Sequence, residues 1–137
     1  MNFLTDDDFV QFQVRNEVLA VLKISETTLD NSELAAQEQM SSYLRTRFDV
    51  AATFSASGPA RNPLIIMYMI DLILYHLHSN TPSRVVPKSR DDRFNAAITW
   101  LTSVNTGDLI PDLPELPVTT PDPAMRLGTN QKYSKRW

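Results

Sequence analysis

One stretch of fourteen residues limits what this chain can fold into. From Leu64 to Leu77 every residue is apolar or tyrosine except Asp71 and His76. The pair Asn62-Pro63 precedes it and is typical of a helix start, because asparagine caps free amides and proline at the first helical position loses no hydrogen bond. A helix that is apolar nearly all round belongs in the middle of a bundle, and fourteen residues are too few to cross a bilayer. We therefore predict an all-α bundle of about four helices around this central helix, with no membrane span.

Two segments before the central helix have helical spacing. The first starts at Thr5, which is placed to cap an acidic first turn, and its uneven apolar spacing around Gln13 to Asn16 favours two short helices with a kink. The second is predicted to start at Asp30, with Glu33 three residues later as in a capping box. Its apolar side is formed by Leu34, Met40, Tyr43, Leu44 and Phe48, of which several are three or four residues apart.

One further helix follows the central one. It is predicted to start at Ser89, with Asp92 at its third position, and to end at Gly107, since glycine is the residue that most often ends a helix. The only trace of strand-like alternation is Val50 to Phe54, in the connection before the central helix.

The end of the chain differs in composition from the rest. Prolines occupy five of the thirteen residues from 111 to 123, a density that excludes helix and favours extended chain. We therefore expect a helical body over residues 1–109 and an extended tail over 110–137. The last twelve residues carry four basic side chains and no acidic one. We expect this end to become ordered on a partner, and the alternative is a solvated terminus. The predicted partner-docking residues are Arg126, Lys132, Tyr133, Lys135, Arg136 and Trp137.

Composition excludes several classes of function. With 13 basic and 16 acidic residues the net charge is −3, which lacks the excess of positive charge needed to grip a phosphate backbone. The chain has no cysteine, which excludes disulfides and thiolate sites, and its three glycines form no nucleotide-binding loop or nucleophile elbow. The acidic N-terminus is unlike a signal peptide, so a cytosolic protein is expected. We predict no catalytic residues, no cofactor and no metal.

Asp71 is the one acidic residue in the apolar helix. A buried carboxylate is either a functional group with a shifted pKa or one half of an ion pair. We favour the ion pair, because buried charges are usually paired, and Arg45, Arg47 and Arg93 on flanking helices are the candidate partners. Tyr75 lies one turn away. The predicted buried polar set is therefore Asp71 with Arg45 or Arg93.

The two histidines, His76 and His78, are two residues apart and so point to different faces of a helix. This spacing differs from the four-residue spacing that places two ligands on one metal. Asp71 and His78 do share a face, but no third and fourth ligand is in view. We expect both histidines to cap or border the helix end. The alternative from another class of function is a small hydrolase that uses Asp71 with His76 or His78.

Taken together, these segments resemble the small helical head–tail connector proteins of tailed phages and prophages, also called adaptor or head-completion proteins, including those of Mu-like elements. The resemblance covers about residues 3 to 115, and its motifs are packing and capping patterns. They are Phe3-Leu4-Thr5-Asp6-Asp7-Asp8-Phe9, Met40-Ser41-Ser42-Tyr43-Leu44-Arg45-Thr46-Arg47-Phe48-Asp49-Val50, Arg61-Asn62-Pro63, Tyr75-His76-Leu77-His78, Arg93-Phe94-Asn95-Ala96-Ala97-Ile98-Thr99-Trp100-Leu101 and Gly107-Asp108-Leu109. The ending Gly128-Thr129-Asn130-Gln131-Lys132 departs from the family pattern.

The resemblance implies a structural virion protein. Members of the connector family form a ring of about twelve copies under the portal protein and continue the DNA channel without binding DNA specifically. The ring also gives a downstream neck or tail-completion protein a surface to bind. The implied location is the virion neck, after assembly in the bacterial cytoplasm. Ring closure needs two complementary faces, and the net charge of −5 over residues 1–50 against +2 over 51–105 is one way to supply them. Another phage interaction role, including a regulatory adaptor, is the alternative.

Overall fold

The computed structural model describes residues 2–12, 25–80 and 85–118. Within these ranges the fold is all-α, as predicted, and a bundle of α2, α4 and α5 forms its body, with α3 packed on α2. The elements are α1 (Asp6–Gln11), α2 (Glu26–Leu44), α3 (Val50–Ser55), a 3-10 turn (Gly58–Ala60), α4 (Pro63–Ser79) and α5 (Lys88–Thr106). The one β-bridge among the described residues joins Phe48 and Glu115.

Helix α4 is the central helix, and its predicted start is confirmed. The Asn62 side-chain oxygen accepts hydrogen bonds from the backbone N–H groups of Leu64 and Ile65, at 2.9 and 3.3 Å. Nine of its seventeen residues are buried, on all sides of the helix, because α2 and α5 both pack against it. The buried residues are Ile65, Ile66, Met69, Ile70, Asp71, Leu72, Ile73, Leu74 and Leu77.

Helix α2 begins earlier than predicted. Its N-cap is Ser25, whose hydroxyl oxygen accepts from the Thr28 N–H at 3.2 Å, so the predicted start at Asp30 is wrong. Serine is as good a cap as aspartate, and each residue added to a formed helix contributes a further backbone hydrogen bond. Leu34 was assigned to the apolar side and is exposed instead. The helix ends at Leu44, so Phe48, which was assigned to its apolar side, lies beyond the helix.

The other helix boundaries follow the sequence in part. Helix α1 starts after Thr5 as predicted, and the predicted continuation of this segment from Gln13 onward lies outside the described residues. Helix α5 ends at Gly107, which has a left-handed φ of +91°. It starts at Lys88, so the predicted cap Ser89 lies inside the helix instead.

The connection from Val50 to Ser55 is the helix α3 and not a strand. Asp49 is its N-cap, and the Asp49 carboxylate accepts from the Ala52 N–H at 3.0 Å. A side-chain cap satisfies one of the free amides of the first turn, so it favours helix over the weak alternation of this segment.

The chain after α5 is not helical over residues 109–118, and part of it pairs with the body. The Asp49 N–H donates to the Pro114 carbonyl at 2.8 Å, and the Leu116 N–H donates to the Arg47 carbonyl at 3.2 Å. The Leu113 side chain, just before these two bonds in the chain, is buried. The predicted tail therefore begins with a segment that is fixed to the end of α2.

Candidate interaction surfaces

Asp71 lies in the middle of α4 and is buried, with 6% of its surface exposed. Its carboxylate oxygen Oδ1 is 3.6 Å from Nη1 of Arg93, whose side chain is more than half exposed. Burial raises the pKa of Asp71, and the positive charges of Arg93 and Arg90 offset this only in part. Asp71 thus has one of the expected partners, and a long contact to it.

The other two candidate partners of Asp71 lie elsewhere. Arg45 is exposed and donates to the Glu38 carboxylate at 2.9 Å, so its assignment to a buried pair is wrong. The reason is geometric: Arg45 follows the last residue of α2, and Glu38 lies two turns earlier on the same face of that helix. The guanidinium of Arg47 lies against Gly107, at the end of α5.

Two stacked aromatic pairs join α4 to α5 on either side of Asp71. The ring centroids of Tyr75 and Phe94 are 3.9 Å apart, with planes at 18°, and those of Tyr68 and Trp100 are 4.9 Å apart, with planes at 30°. All four rings are only partly buried. We define the α4–α5 seam as this half-exposed surface, made of Tyr68, Asp71, Tyr75, Arg90, Arg93, Phe94 and Trp100.

Both histidines lie in the last turns of α4, at the helix end where they were expected. His76 Nε2 is 3.0 Å from the side-chain oxygen of Gln39 on α2, and burial lowers the pKa of His76. Burial and the neighbouring Arg90 lower the pKa of His78. A groove of about 300 Å³ beside His76 is lined by Thr28, Asn31, Ser32, Ala35, His76 and Asn80. In residues 2–12, 25–80 and 85–118 no three His, Asp or Glu side chains are grouped to hold a metal ion.

Glu33 fixes the start of the chain to α2. Its buried carboxylate accepts hydrogen bonds from the backbone N–H groups of Asn2, Phe3 and Leu4, at 2.8, 2.8 and 2.9 Å. Glu33 was predicted to close a capping box with Asp30, and this is wrong because the helix starts a turn earlier. No local pattern indicates the real contact, since its partners are about thirty residues away in the chain.

A second buried charge fixes the same segment. Arg61 donates two hydrogen bonds to the Asp8 carboxylate, at 2.6 and 3.0 Å, and one to the Phe3 carbonyl at 2.9 Å. Its guanidinium also lies over the Phe3 ring, 5.7 Å from the centroid. Burial alone would raise the pKa of Asp8, but the hydrogen bonds from Arg61 and Thr5 outweigh it, and the pKa is below its ordinary value. No sequence pattern predicted this network.

Several large apolar side chains are exposed in the segment after α5. Between positions 109 and 118 four large apolar side chains are exposed, and they are Leu109, Ile110, Leu116 and Val118. A groove of about 250 Å³ beside them is lined by Arg47, Phe48, Ile110 and Glu115. We call these four exposed residues the apolar edge. The predicted docking residues from Arg126 to Trp137 lie outside the described residues.

Comparison of the chain with family models, curated proteins and solved structures found no match. None of the helices in the described ranges combines the length and apolar character needed to span a membrane.

Proposed function

We propose that this protein is a non-enzymatic structural protein of a tailed phage or prophage. In this proposal about twelve copies form a ring under the portal protein, connect head to tail and continue the DNA channel. The sequence motifs quoted above, from Phe3 to Leu109, resemble those of connector proteins in their content and in their order along the chain. DNA passes through the ring without specific contacts, and a downstream neck or tail-completion protein binds the ring.

The observation that carries the proposal is the apolar edge. Its four side chains are between 44% and 86% exposed, and all four lie within one segment of ten residues. Single exposed apolar residues are common, but a cluster of them is typical of a protein–protein interface. The edge lies directly before the chain that carries the basic and aromatic residues Arg126 to Trp137. We infer that the edge and this end together contact the portal protein.

The construction of the body supports a scaffold role. Glu33 and the Asp8–Arg61 pair fix the first residues to the bundle, and backbone hydrogen bonds fix the segment around Pro114 to the end of α2. A body whose ends are fixed presents its surfaces in constant positions, and little ordering entropy is then lost when a neighbour binds.

The proposal is tested by measuring the mass of the purified full chain by light scattering, alone and mixed with the portal protein. We expect a large complex of defined mass with the portal protein. Replacing Trp137 by alanine is expected to weaken portal binding by about tenfold or more, because aromatic residues dominate the binding energy of interfaces. Ser134→Ala in the same segment is the matched control.

A second pair of variants tests the apolar edge. Ile110→Ser is expected to weaken portal binding, whereas Leu34→Ser, at another exposed leucine, is expected to leave it unchanged. A chain that stays monomeric both alone and with the portal protein would overturn the proposal, and equal binding by Trp137→Ala and the wild type would remove the docking role of the C-terminal residues.

A further inference from the structure

We propose that neighbouring copies of this chain meet head to tail, with α1 of one copy against the α4–α5 seam of the next. This inference rests on the proposed function, which requires identical copies side by side. A closed ring of identical subunits needs two different faces on each subunit that fit each other. The structure offers one acidic and one basic face.

The basic face is the arginine pair of the α4–α5 seam. Arg90 and Arg93 are one helical turn apart, and burial, followed by the positive charge of Arg93, lowers the pKa of Arg90. In the described structure they share one carboxylate, that of Asp71, which is 3.6 Å from Arg93. Asp71 is buried, whereas the Arg93 side chain is more than half exposed, so Arg93 remains accessible from solvent beside its contact with Asp71. This pair has room for further carboxylates.

The two other acidic residues in the first turns of α5 do not fill that role. Asp92 is 3.3 Å from the ammonium group of Lys88, and Asp91 accepts from the side chain of Asn95 at 3.5 Å. Both contacts join residues four apart on α5 itself. The carboxylates that Arg90 and Arg93 can bind must therefore come from outside this helix.

The seam also has the side chains that bind proteins tightly. Tyrosine, tryptophan and arginine are the residues most enriched among those that dominate interface energies. Here Tyr68, Tyr75 and Trp100 lie partly exposed beside the arginine pair, held in fixed positions by their ring stacking. Rings that are already ordered lose little entropy when they are covered.

The acidic face is the outer side of α1. Asp6 and Asp7 are exposed and form no ion pair with any described basic residue, and Val10 is 55% exposed. Val10 lies one turn after the two aspartates, so the three side chains share a side of the helix. Asp8 and Phe9 are buried and hold the opposite side of α1 to the body. The face therefore offers two carboxylates and an apolar side chain on a fixed helix.

The two faces lie on different parts of one subunit, as a head-to-tail contact requires. Asp8 holds α1 beside Arg61, just before the start of α4. Helix α5 runs antiparallel to α4, since Tyr75 stacks on Phe94 and Tyr68 on Trp100. Its first turns, with Arg90 and Arg93, therefore lie toward the far end of α4. The partner of each face is consequently a second copy and not the same chain.

Disulfide trapping tests this contact directly, because the natural chain contains no cysteine. One cysteine is introduced by Val10→Cys in one preparation of the full chain. In another it is introduced by Ala96→Cys, at an exposed position one turn from both Arg93 and Trp100. Mixed and oxidised, the two preparations are expected to form a cross-linked dimer at least about tenfold faster than a control mixture in which Leu34→Cys replaces Val10→Cys. Leu34 is as exposed as Val10.

Charge reversal gives the second test. Asp6→Lys with Asp7→Lys, or Arg90→Glu with Arg93→Glu, is expected to lower the cross-linking rate about tenfold when introduced in both partners. All four changes together in each partner exchange the charges of the faces and are expected to restore the rate. Equal cross-linking rates for the Val10→Cys and Leu34→Cys mixtures would overturn the proposal. A slow cross-linking rate in the variant that carries all four charge reversals, with each protein still folded, would overturn it too.

These results are separate from the test of the proposed function. A chain that binds the portal protein as a ring but shows no preference for the Val10 mixture would keep the connector function and lose this contact. If Ala96→Cys cross-links to the portal protein and not to Val10→Cys, the seam belongs to the portal and the contact between copies is likewise refuted.

Discussion

Three carboxylates are buried in the described body, and each is compensated in a different way. Glu33 receives three backbone N–H groups, Asp8 receives two hydrogen bonds from Arg61, and Asp71 has a single arginine at 3.6 Å. Hydrogen bonds to the ionised form offset the cost of removing a carboxylate from water. Asp71 has the weakest compensation of the three, and it is the one of the three whose arginine partner lies on the surface we assign to a neighbouring copy.

Replacing Glu33 by glutamine is expected to destabilise the protein by about 2 kcal/mol. Glutamine has one acceptor oxygen where glutamate has two, and its NH₂ group would face backbone donors, so at least one buried N–H loses its partner. Urea unfolding measures the change. Glu38→Gln on the same helix is the control, because Glu38 is exposed and its contact with Arg45 contributes little. Equal stability of the two variants would contradict the role given to Glu33.

Replacing Asp8 by asparagine is expected to lower the free energy of unfolding by about 3 kcal/mol at pH 7, since it leaves Arg61, whose side chain is only 11% exposed, without its charge partner. The pKa of Asp8 is lowered in the folded protein from an ordinary value of 3.8. The ionised form is therefore favoured by folding, and its contribution is complete above that value and disappears as the pH falls through the folded pKa.

The difference between wild type and Asp8→Asn should accordingly shrink as the pH is lowered below about 4. Unfolding in urea at several pH values between 7 and 2 follows it. A difference that stays constant down to pH 2 would show that packing and not charge carries the effect of this side chain.

At the scale of the helices, sequence patterns predicted which helices form better than they predicted the first and last residues of each helix. The start of α4 at Asn62 and the end of α5 at Gly107 were predictable because a single residue type carries each signal. The start of α2 was not, since Ser25 and Asp30 are both good caps and nothing local decides between them. The helix α3 was missed because the alternation from Val50 to Phe54 was interpreted as strand-like and the capping role of Asp49 was not recognised.

Gly107 is expected to resist substitution. Its φ of +91° is strained for any residue with a Cβ, and a Cβ there would also overlap the guanidinium of Arg47. Gly107→Ala is expected to destabilise the protein by at least about 1 kcal/mol, measured by urea unfolding. In an Arg47→Ala background the overlap is absent, and the smaller cost that remains is that of the backbone. No cost in either background would contradict this account.

The segment after α5 is expected to contribute to the stability of the body. Leu113 is buried just before the two backbone hydrogen bonds to Arg47 and Asp49, whereas Leu116 is 44% exposed. Leu113→Ala is expected to cost about 2 kcal/mol, and Leu116→Ala less than about 0.5 kcal/mol. Thermal unfolding of both variants measures this. A larger effect at Leu116 than at Leu113 would mean that the segment is held by its edge and not by its buried side chain.

At the scale of the whole molecule, the candidate surfaces could be predicted only where one sequence position carries the signal. The burial of Asp71 could be predicted because it is the one acidic residue in an apolar helix. An arginine on the next helix could be predicted as its partner. The seam could not be foreseen, because it depends on how Tyr68 and Tyr75 align with Trp100 and Phe94 across two antiparallel helices. The fixing of the first residues by Glu33 joins distant parts of the chain, and no periodicity encodes it.

The proposed contact between copies is expected to weaken with salt. It joins two exposed carboxylates to the exposed Arg93 and the partly buried Arg90, and the screening length falls from about 10 Å at 0.1 M to about 3 Å at 1 M ionic strength. The cross-linking rate of the Val10→Cys and Ala96→Cys mixture should therefore drop between these two conditions, while that of the Leu34→Cys control changes little. The fourfold charge-exchanged variant should show the same salt dependence as the natural sequence, because it preserves the attraction and only exchanges its sides. If the rate instead rises with salt, burial of the aromatic rings and not charge would drive the contact, and the pairing of Asp6 and Asp7 with the two arginines would have to be abandoned.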